Sequence, residues 1–215
     1  MIDHNKFVVA HDQGKQLCFV GLGGMSRKIA EDFAQHHAIL VSVENLADKN
    51  STWFDDKQFI VITSDVALQK KAVELIDSHK GNYFSLINKN TELSQQTRIG
   101  VGTFINVYAS TLPNEYAYIG NHCTIGSYVC IANQVVIHDF CHVSPQCYIN
   151  QCELYEGTVI GVQGKIAGQV NEKISIAPYS NIMMNSMISK TISRSGTYFN
   201  NRRVSDSTSL EDRIL

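Results

Sequence analysis

Residues 119–150 read IGNHCTIGSYVCIANQVVIHDFCHVSPQCYIN, and an aliphatic side chain returns at every sixth position of this stretch. These positions are Ile119, Ile125, Ile131, Ile137, Val143 and Ile149. Ile99 and Ile105 are also six apart, and after wider gaps the spacing of six returns at Ile160 and Ile166 and at Ile176, Ile182 and Ile188. A period of six fits neither the 3.6-residue period of a helix nor the two-residue alternation of a strand. Six unbroken units are very improbable by chance.

The period of six predicts a parallel β-helix, in which each unit forms one flat side of a triangular coil and three units close a turn. We expect this coil to span roughly residues 98–192, with the aliphatic side chains pointing inward. The residue four places later, such as Cys123 or Val129, should pack beneath the next coil. The residue directly after the aliphatic is often small, as at Gly120 and Gly126. We expect it at a corner with left-handed backbone, which Gly, Asn and Asp adopt most easily.

Residues 15–95 follow a different pattern, in which short apolar runs alternate with amphipathic stretches. The predicted strands are Gln16–Val20, Ile39–Val43, Phe59–Thr63 and Tyr83–Ile87. One predicted helix carries Ile29, Ala30 and Phe33 on one face. A second runs from Asp65, as N-cap, to about Ser78, with Leu68, Ala72, Leu75 and Ile76 facing inward. The predicted fold is a small Rossmann-like α/β domain with a parallel sheet over 1–95, followed by a left-handed parallel β-helix with a C-terminal tail over 96–215.

The composition limits the possible partners. The formal net charge is −2 and no basic tract occurs, so we expect neither nucleic acid nor an anionic membrane surface as a partner. No run of about 18 apolar residues and no signal-peptide pattern is present. Six cysteines occur without a CxxC pair, and three of them fall at the inward position of the repeat. We therefore expect buried, reduced thiols and a cytoplasmic protein.

Four stretches of the sequence resemble one family. Phe140–Ser144 (FCHVS) matches a motif of the nucleotide-sugar acyltransferases typified by bacillosamine-pathway N-acetyltransferases and sialic acid O-acetyltransferases. Val20–Ser26 stands in the place of that family's Gly-x-x-Gly turn. Leu86–Thr91 resembles its link into the β-helix, and Ile188–Gly196 resembles its terminal stretch.

The resemblance implies a CoA-dependent transfer of an acyl group, expected to be acetyl, to an amino or hydroxyl group of a nucleotide-linked sugar. It also implies a role in surface polysaccharide or glycan biosynthesis. Family members are homotrimers with acetyl-CoA or another acyl-CoA in the groove between neighbouring β-helices. The nucleotide sugar, here expected to be a UDP- or dTDP-linked amino sugar, is held by the N-terminal domain. No metal is expected.

The sequence departs from the family pattern where substrates should bind. Asn133 and Gln134 replace a catalytic His and the acidic residue after it. Met25 stands where the glycine turn commonly carries His, and Met183 and Met184 lie in a stretch that is often glycine-rich. The final Gly-Val-Pro-Ala-Lys is replaced by YFNNR at residues 198–202.

The candidate catalytic residues are His138, Asp139, His142 and Asn133. Histidine suits proton transfer near neutral pH. His142 aligns with a family histidine close to the thioester. His138 occupies a position where Gly is commoner, so it is either a relocated base with Asp139 raising its basicity or a solvated corner residue. Asn133 could orient the acceptor but cannot accept a proton at pH 7.

The binding candidates lie in both domains. The turn residues Gly21, Gly23, Gly24, Met25 and Ser26, with Glu44, are expected to hold the nucleotide sugar, because a strand-to-helix turn offers N–H groups to phosphate. This glycine turn lacks the complete dinucleotide fingerprint, so a redox cofactor is disfavoured. Gly161, Gly164, Met183, Met184 and Lys190 are expected to contact acyl-CoA.

Two other function classes stay open. A γ-carbonic-anhydrase-like zinc enzyme could use His122, His138 and His142, although spacing alone cannot establish convergent ligands. A catalytically degenerate sugar-nucleotide-binding protein is suggested by Asn133 at the usual histidine position.

Overall fold

The computed structural model describes residues 6–21, 23–169 and 172–206. The outer ends of both predicted domains, residues 1–5 and 207–215, lie outside the described residues, as does Leu22 in the predicted glycine turn. The chain divides into two compact units, which are 1–89 with 101–104 and 90–100 with 105–215. The predicted boundary between residues 95 and 96 stays a prediction.

The first unit is an α/β domain. Its elements are β1 (Phe7–Ala10), β2 (Gln16–Val20), α1 (Gly24–Asp32), a 3₁₀ turn (Ala34–His36), β3 (Ile39–Val41), α2 (Val43–Ala47), α3 (Ser51–Phe54), β4 (Lys57–Val61), α4 (Val66–Ser78), β5 (Asn82–Tyr83) and β6 (Ser85–Asn88). Strands β2 to β5 form a parallel sheet in the order β3-β2-β4-β5, and β1 pairs antiparallel with β6. The sequence-based prediction of a small parallel sheet is confirmed.

Aromatic side chains fill the core of this unit. The rings of Phe33 and Phe84 each lie 5.5 Å from that of Phe19 on β2, between centroids. All residues of β4 are buried, including Lys57 and Gln58, and its last three residues begin the apolar run from which the strand is predicted. Ile29 and Ala30 on α1 and the following Phe33 are buried, as their helical spacing predicts.

The ends of two predicted strands are set by local chemistry. The strand predicted to reach Val43 ends at Val41, because the Ser42 hydroxyl accepts a hydrogen bond from the Asn45 N–H and begins α2. The run Tyr83–Ile87 is divided between β5 and β6. Strand β4 begins and ends two residues earlier than predicted.

Helix α4 is capped as predicted. The Asp65 side chain accepts a hydrogen bond from the Leu68 N–H at 3.0 Å. The buried residues of this helix are Gln69, Ala72, Val73 and Ile76. Leu68 and Leu75 are only half-buried, so the inward face lies slightly to one side of the predicted one.

The second unit is a parallel β-helix. Its strands are β7 (Thr97–Ile99), β8 (Phe104–Ile105), β9 (Ser110–Thr111), β10 (Ala117–Ile119), β11 (Thr124–Ile125), β12 (Cys130–Ile131), β13 (Val135–Ile137), β14 (His142–Val143), β15 (Tyr148–Asn150), β16 (Cys152–Leu154), β17 (Val159–Ile160), β18 (Lys165–Ala167), β19 (Ile174–Ile176), β20 (Asn181–Ile182), β21 (Met187–Ile188), β22 (Thr197–Phe199) and β23 (Arg202–Ser205). Strands β7 to β21 form five triangular coils, and each coil contributes one strand to each of three sheets.

The aliphatic side chains that recur at every sixth position lie inside the coils, as predicted. The positions Ile119, Ile125, Ile131, Ile137, Val143 and Ile149 are all almost completely buried. Cys123, Val129, Val135, Cys141 and Cys147, four places after an aliphatic, are buried as well. Ile99, in the first coil, is half-buried.

The period of six is broken at three places. Thr111 pairs with Ile131 and occupies the aliphatic position of the first coil, and Ile119 follows it eight positions later, so the chain carries two extra residues there. Leu154 lies five positions after Ile149 instead of six. It nevertheless pairs with Ile137 and fills the aliphatic position of its coil. Between Ile166 and Ile176 the chain carries four extra residues, with a bridge between Gln169 and Glu172.

The left-handed backbone does not lie where the sequence suggested. It occurs three residues after the aliphatic, for example at His122, Tyr128 and Phe140, with φ between 56° and 60°. The position directly after the aliphatic is small for another reason. A Cβ on Gly120 would lie 2.8 Å from the Asp139 backbone nitrogen in the next coil. Close stacking of coils, rather than positive φ, therefore selects Gly at this position.

Candidate active site

His138 is the polar centre of one corner of the β-helix. It directly follows β13, at the position where the preceding coils carry Gly100 and Gly120. Its Nε2 lies 2.7 Å from Oε1 of Glu153, which stands on β16 in the next coil. Its ring stacks on Tyr155, with centroids 5.1 Å apart and planes 12° apart. About 38% of the side chain stays exposed, so the imidazole is both held and accessible.

The carboxylate beside His138 is Glu153, which the sequence did not indicate. The expected partner, Asp139, is bonded elsewhere. Its Oδ1 accepts the Asn121 backbone N–H at 2.7 Å, and its Oδ2 accepts the Asn121 side-chain amide at 3.2 Å. Asp139 therefore ties two coils together. The carboxylate bonded to His138 is therefore Glu153 and not Asp139.

His142 lies on β14, in the next side of the same coil. The ring is half-buried, and its Nδ1 is enclosed without a hydrogen-bond partner among the described residues. Burial lowers the pKa of His142 to about 4, so its imidazole is neutral at pH 7. A neutral imidazole can donate one hydrogen bond and accept another, but this one is a weak proton acceptor.

Asn133 is paired with Asn150 across two coils. Oδ1 of Asn150 accepts the Asn133 backbone N–H at 3.1 Å and the Asn133 side-chain amide at 3.3 Å. Asn133 follows β12 and His138 follows β13, so the two residues lie at different corners of the coil. The structure therefore does not bring Asn133 and His138 into one hydrogen-bonded cluster.

The cysteines are packing residues. Burial raises the pKa of Cys141 and Cys152 to about 12 and that of Cys147 to about 11. All six cysteines of the chain are free thiols, as predicted. A thiol with so high a pKa carries almost no thiolate at neutral pH, so it is a poor nucleophile.

The residues predicted to contact acyl-CoA lie in the fourth and fifth coils. The Gly161 N–H donates to the Ile182 carbonyl and the Gly164 N–H to the Gly161 carbonyl, so the coil uses both groups. Met183 and Met184 expose their side chains, Met184 by 61%, and Lys190 is exposed. Met183 and Met184 follow β20 and Lys190 follows β21, so the apolar thioethers and the ammonium group lie at different corners of the same coil.

The glycine turn of the α/β unit connects β2 to α1. Gly21 has φ of +131°, and a Cβ there would lie 2.6 Å from the Ile62 carbonyl oxygen, so only glycine fits. Gly23 is the N-cap of α1, and its carbonyl accepts the buried Ser26 hydroxyl at 2.8 Å. Gly24 and Met25 are exposed. Ser26 is therefore a structural residue of the turn, whereas Gly24 and Met25 face solvent.

Glu44 lies in the first turn of α2, at the carboxyl end of β3. Hydrogen bonds from its own backbone N–H and from the Ser42 hydroxyl hold the carboxyl pKa below its usual value. The strand order places β2 between β3 and β4. Ligands of open parallel sheets bind at the carboxyl ends of strands, where Gly21 and Glu44 both lie.

Neither a metal cluster nor a membrane-spanning helix is found in the described part of the chain. Within residues 6–21, 23–169 and 172–206, no three His, Cys, Asp or Glu side chains are grouped to hold a metal ion. His122, His138 and His142 therefore do not form a ligand set within one chain. No helix in the same ranges is long and apolar enough to cross a bilayer.

The repeat matches a family model, and solved structures match most of the chain. Residues 116–151 match the model of the bacterial transferase hexapeptide, six repeats. PerB from Caulobacter crescentus, solved with CoA and GDP-perosamine, is 13% identical with a TM-score of 0.75. The match covers 93% of this chain and all of PerB. No curated protein sequence matches this chain.

A second similar protein is the acetyltransferase domain of PglB from Neisseria gonorrhoeae. It is 14% identical with a TM-score of 0.71, over 89% of this chain and 100% of that domain. The same domain in complex with acetyl coenzyme A matches with a TM-score of 0.53. These likenesses confirm the fold class, an α/β domain followed by a left-handed parallel β-helix.

Proposed function

We propose that this protein transfers an acyl group from acyl-CoA to an amino or hydroxyl group of a nucleotide-linked sugar. The observation that carries the proposal is the His138–Glu153 pair, an accessible imidazole bonded to a carboxylate. It stands on the fold shared with PerB, which was solved with CoA and GDP-perosamine. An acetyl group and an amino acceptor are favoured, since the PglB domain was solved with acetyl coenzyme A and perosamine is an amino sugar.

Two histidines have different roles in the proposed reaction. His138 takes the proton that the acceptor loses as it attacks the thioester. His142, neutral at pH 7, donates a hydrogen bond to the thioester region. Asn133 has no basic nitrogen, so its role is limited to orienting a substrate group.

Acyl-CoA supplies the activated acyl group, and this chain has residues that suit it. The exposed thioethers of Met183 and Met184 match an apolar pantetheine arm, and the Lys190 ammonium matches a phosphate. In the α/β unit, the first turn of α1, which begins at Gly24, offers backbone N–H groups to the diphosphate. Glu44 is ionised and suits a sugar or ribose hydroxyl.

The assembly proposed with this function is a homotrimer in the cytoplasm. Tyr108 and Tyr128 expose 51% and 57% of their surface, and Met184 and Met187 are similarly exposed on later coils. Such apolar side chains favour contacts with other copies. Static light scattering should give three times the chain mass of 24.0 kDa, and a monomer at micromolar concentration would contradict the assembly. The place of the enzyme in surface-glycan biosynthesis stays a prediction.

Thiol release tests the activity directly. Purified protein is mixed with acetyl-CoA and each of a set of GDP-, dTDP- and UDP-linked amino sugars, and free CoA is measured with a thiol reagent. We expect turnover that depends on one nucleotide sugar. A parallel thermal shift should show stabilisation by acyl-CoA and none by NAD. Stabilisation by NAD alone, without thiol release, would reject the proposal.

A further inference from the structure

We infer that Glu153 fixes the tautomer of His138, so that Nδ1 of His138 is the nitrogen that accepts the proton during acyl transfer. The inference rests on the proposed function. It assigns a positioning role to Glu153, a residue that no sequence motif indicates. It also replaces Asp139, which the sequence suggested as the partner of His138.

The hydrogen bond decides which nitrogen carries the proton. An ionised carboxylate can only accept, so Nε2 must donate to Oε1 of Glu153 across the 2.7 Å contact. A neutral imidazole carries one N–H, which leaves Nδ1 with its lone pair. Nδ1 makes no hydrogen bond within the ranges that the structure describes, so this lone pair is available to a substrate.

Two further contacts hold the ring in place. Tyr155 covers one face of the imidazole at 5.1 Å. Asp139 is committed to Asn121 through both carboxylate oxygens and therefore does not compete for the ring. The His138 N–H of the backbone donates to the Leu154 carbonyl at 2.9 Å, which fixes the ring's attachment to the coil that carries Glu153.

In the proposed step, His138 carries the proton from the acceptor to the leaving thiolate. As the acceptor nitrogen or oxygen forms its bond to the acyl carbon, its proton moves to Nδ1 of His138. The imidazolium is stabilised by the hydrogen bond from Nε2 to the Glu153 carboxylate. When the carbon–sulfur bond breaks, the proton on Nδ1 goes to the thiolate of CoA. The products are the acylated sugar and CoA thiol, and His138 returns to its neutral form.

Two substitutions at position 153 separate the charge from the hydrogen bond. Glu153→Gln keeps an oxygen that can accept from Nε2 but removes the negative charge. Glu153→Ala removes both. We expect kcat to fall between about 10-fold and 10²-fold, less for Gln than for Ala, with little change in KM for acyl-CoA, because the proton moves only in the transition state. Glu156→Gln is the matched control, because Glu156 lies three residues away and its carboxylate accepts from Tyr179.

The tautomer itself is measured by ¹⁵N-edited NMR of the imidazole N–H. In wild type and Glu156→Gln, the His138 proton should be slowly exchanging and coupled to Nε2, and it should disappear in Glu153→Ala. A proton coupled to Nδ1, or an unchanged signal in Glu153→Ala, would overturn the tautomer assignment. A changed signal with unchanged kcat would overturn the positioning role. Absence of turnover in the wild-type protein would overturn the proposed function and the catalytic part of this inference. The NMR experiment would still determine which nitrogen of His138 carries the proton.

Discussion

Two polar pairs join neighbouring coils of the β-helix at different corners, and they differ in what they can do. His138 and Glu153 join an imidazole to a carboxylate at 2.7 Å. Asn133 and Asn150 join two amides, with contacts of 3.1 and 3.3 Å. Both pairs hold coils together, but only the first contains a group that accepts a proton near neutral pH. From this difference we expect proton transfer at the corner of His138 and not at the corner of Asn133.

Removal of the imidazole should have the largest effect. His138→Asn keeps a polar side chain at the corner but removes the proposed base. We expect kcat to fall by about 10² or more, the range for loss of a general base, with KM for acyl-CoA little changed. Steady-state thiol-release kinetics provide the measurement. Loss confined to KM would place His138 in binding rather than in proton transfer.

The second prediction concerns His142, which lies close to the first pair in sequence but is not part of it. Its pKa of about 4 in the folded protein lies below the usual value of 6.5, so the unfolded chain binds the proton more readily. The free energy of unfolding should therefore fall as pH drops from about 6.5 towards 4, and be unaffected by this residue above that range. The full shift from 6.5 to about 4 corresponds to about 3 kcal/mol.

Urea unfolding of wild type and His142→Gln at pH 7.0 and 4.5 measures this difference. Wild type should lose about 2 kcal/mol more than the variant between these values. Equal losses would show that His142 is protonated in the folded protein near pH 6. At pH 7 the variant should also weaken acyl-CoA use and turnover, if its imidazole contacts the thioester.

The smallest effect is expected at the amide pair. Asn133→Ala removes the side-chain hydrogen bond to Asn150, and we expect a loss of about 1 kcal/mol in the free energy of unfolding. Because an amide takes no proton, its effect on kcat should be smaller than that of His138→Asn. Urea unfolding and the same thiol-release assay measure both quantities. A larger kcat loss for Asn133→Ala than for His138→Asn would reverse the comparison.

The interior of the β-helix could be predicted because one physical requirement repeats. Ile137 and Ile149 each fill the inside of a coil. Because every side of a coil needs such a side chain, the aliphatic residues recur at regular spacing in the sequence. The sequence also indicates that the position of Gly120 requires a small residue, but the reason is not the left-handed backbone that the pattern suggests. A Cβ there would meet the backbone of the next coil, whereas the left-handed residues lie two positions later.

The carboxylate of the candidate site could not be predicted, because the repeat is one residue short just before it. Leu154 follows Ile149 after five residues instead of six, so counting in sixes places Glu153 at the wrong position. Only the pairing of Val136 with Glu153 and Ile137 with Leu154 shows that Glu153 lies beside His138. Asp139, adjacent in sequence to His138, was the natural candidate, but its side chain is bonded to Asn121.

In the α/β unit, Ser42 competes with the apolar run Ile39–Val43 as a signal for local structure. Ser42 has the side chain of a helix N-cap, and it ends the strand that the apolar run Ile39–Val43 suggested. Hydrophobicity alone extends the strand to Val43, but Val43 begins α2 and is buried as a residue of that helix.

The most direct test of the account is a crystal structure of the protein with CoA and the nucleotide sugar that supports thiol release. The acceptor nitrogen or oxygen should lie about 3 Å from Nδ1 of His138, within hydrogen-bond reach, while Nε2 keeps its contact with Glu153. An acceptor group beside Asn133 and beyond hydrogen-bond reach of His138 would contradict it.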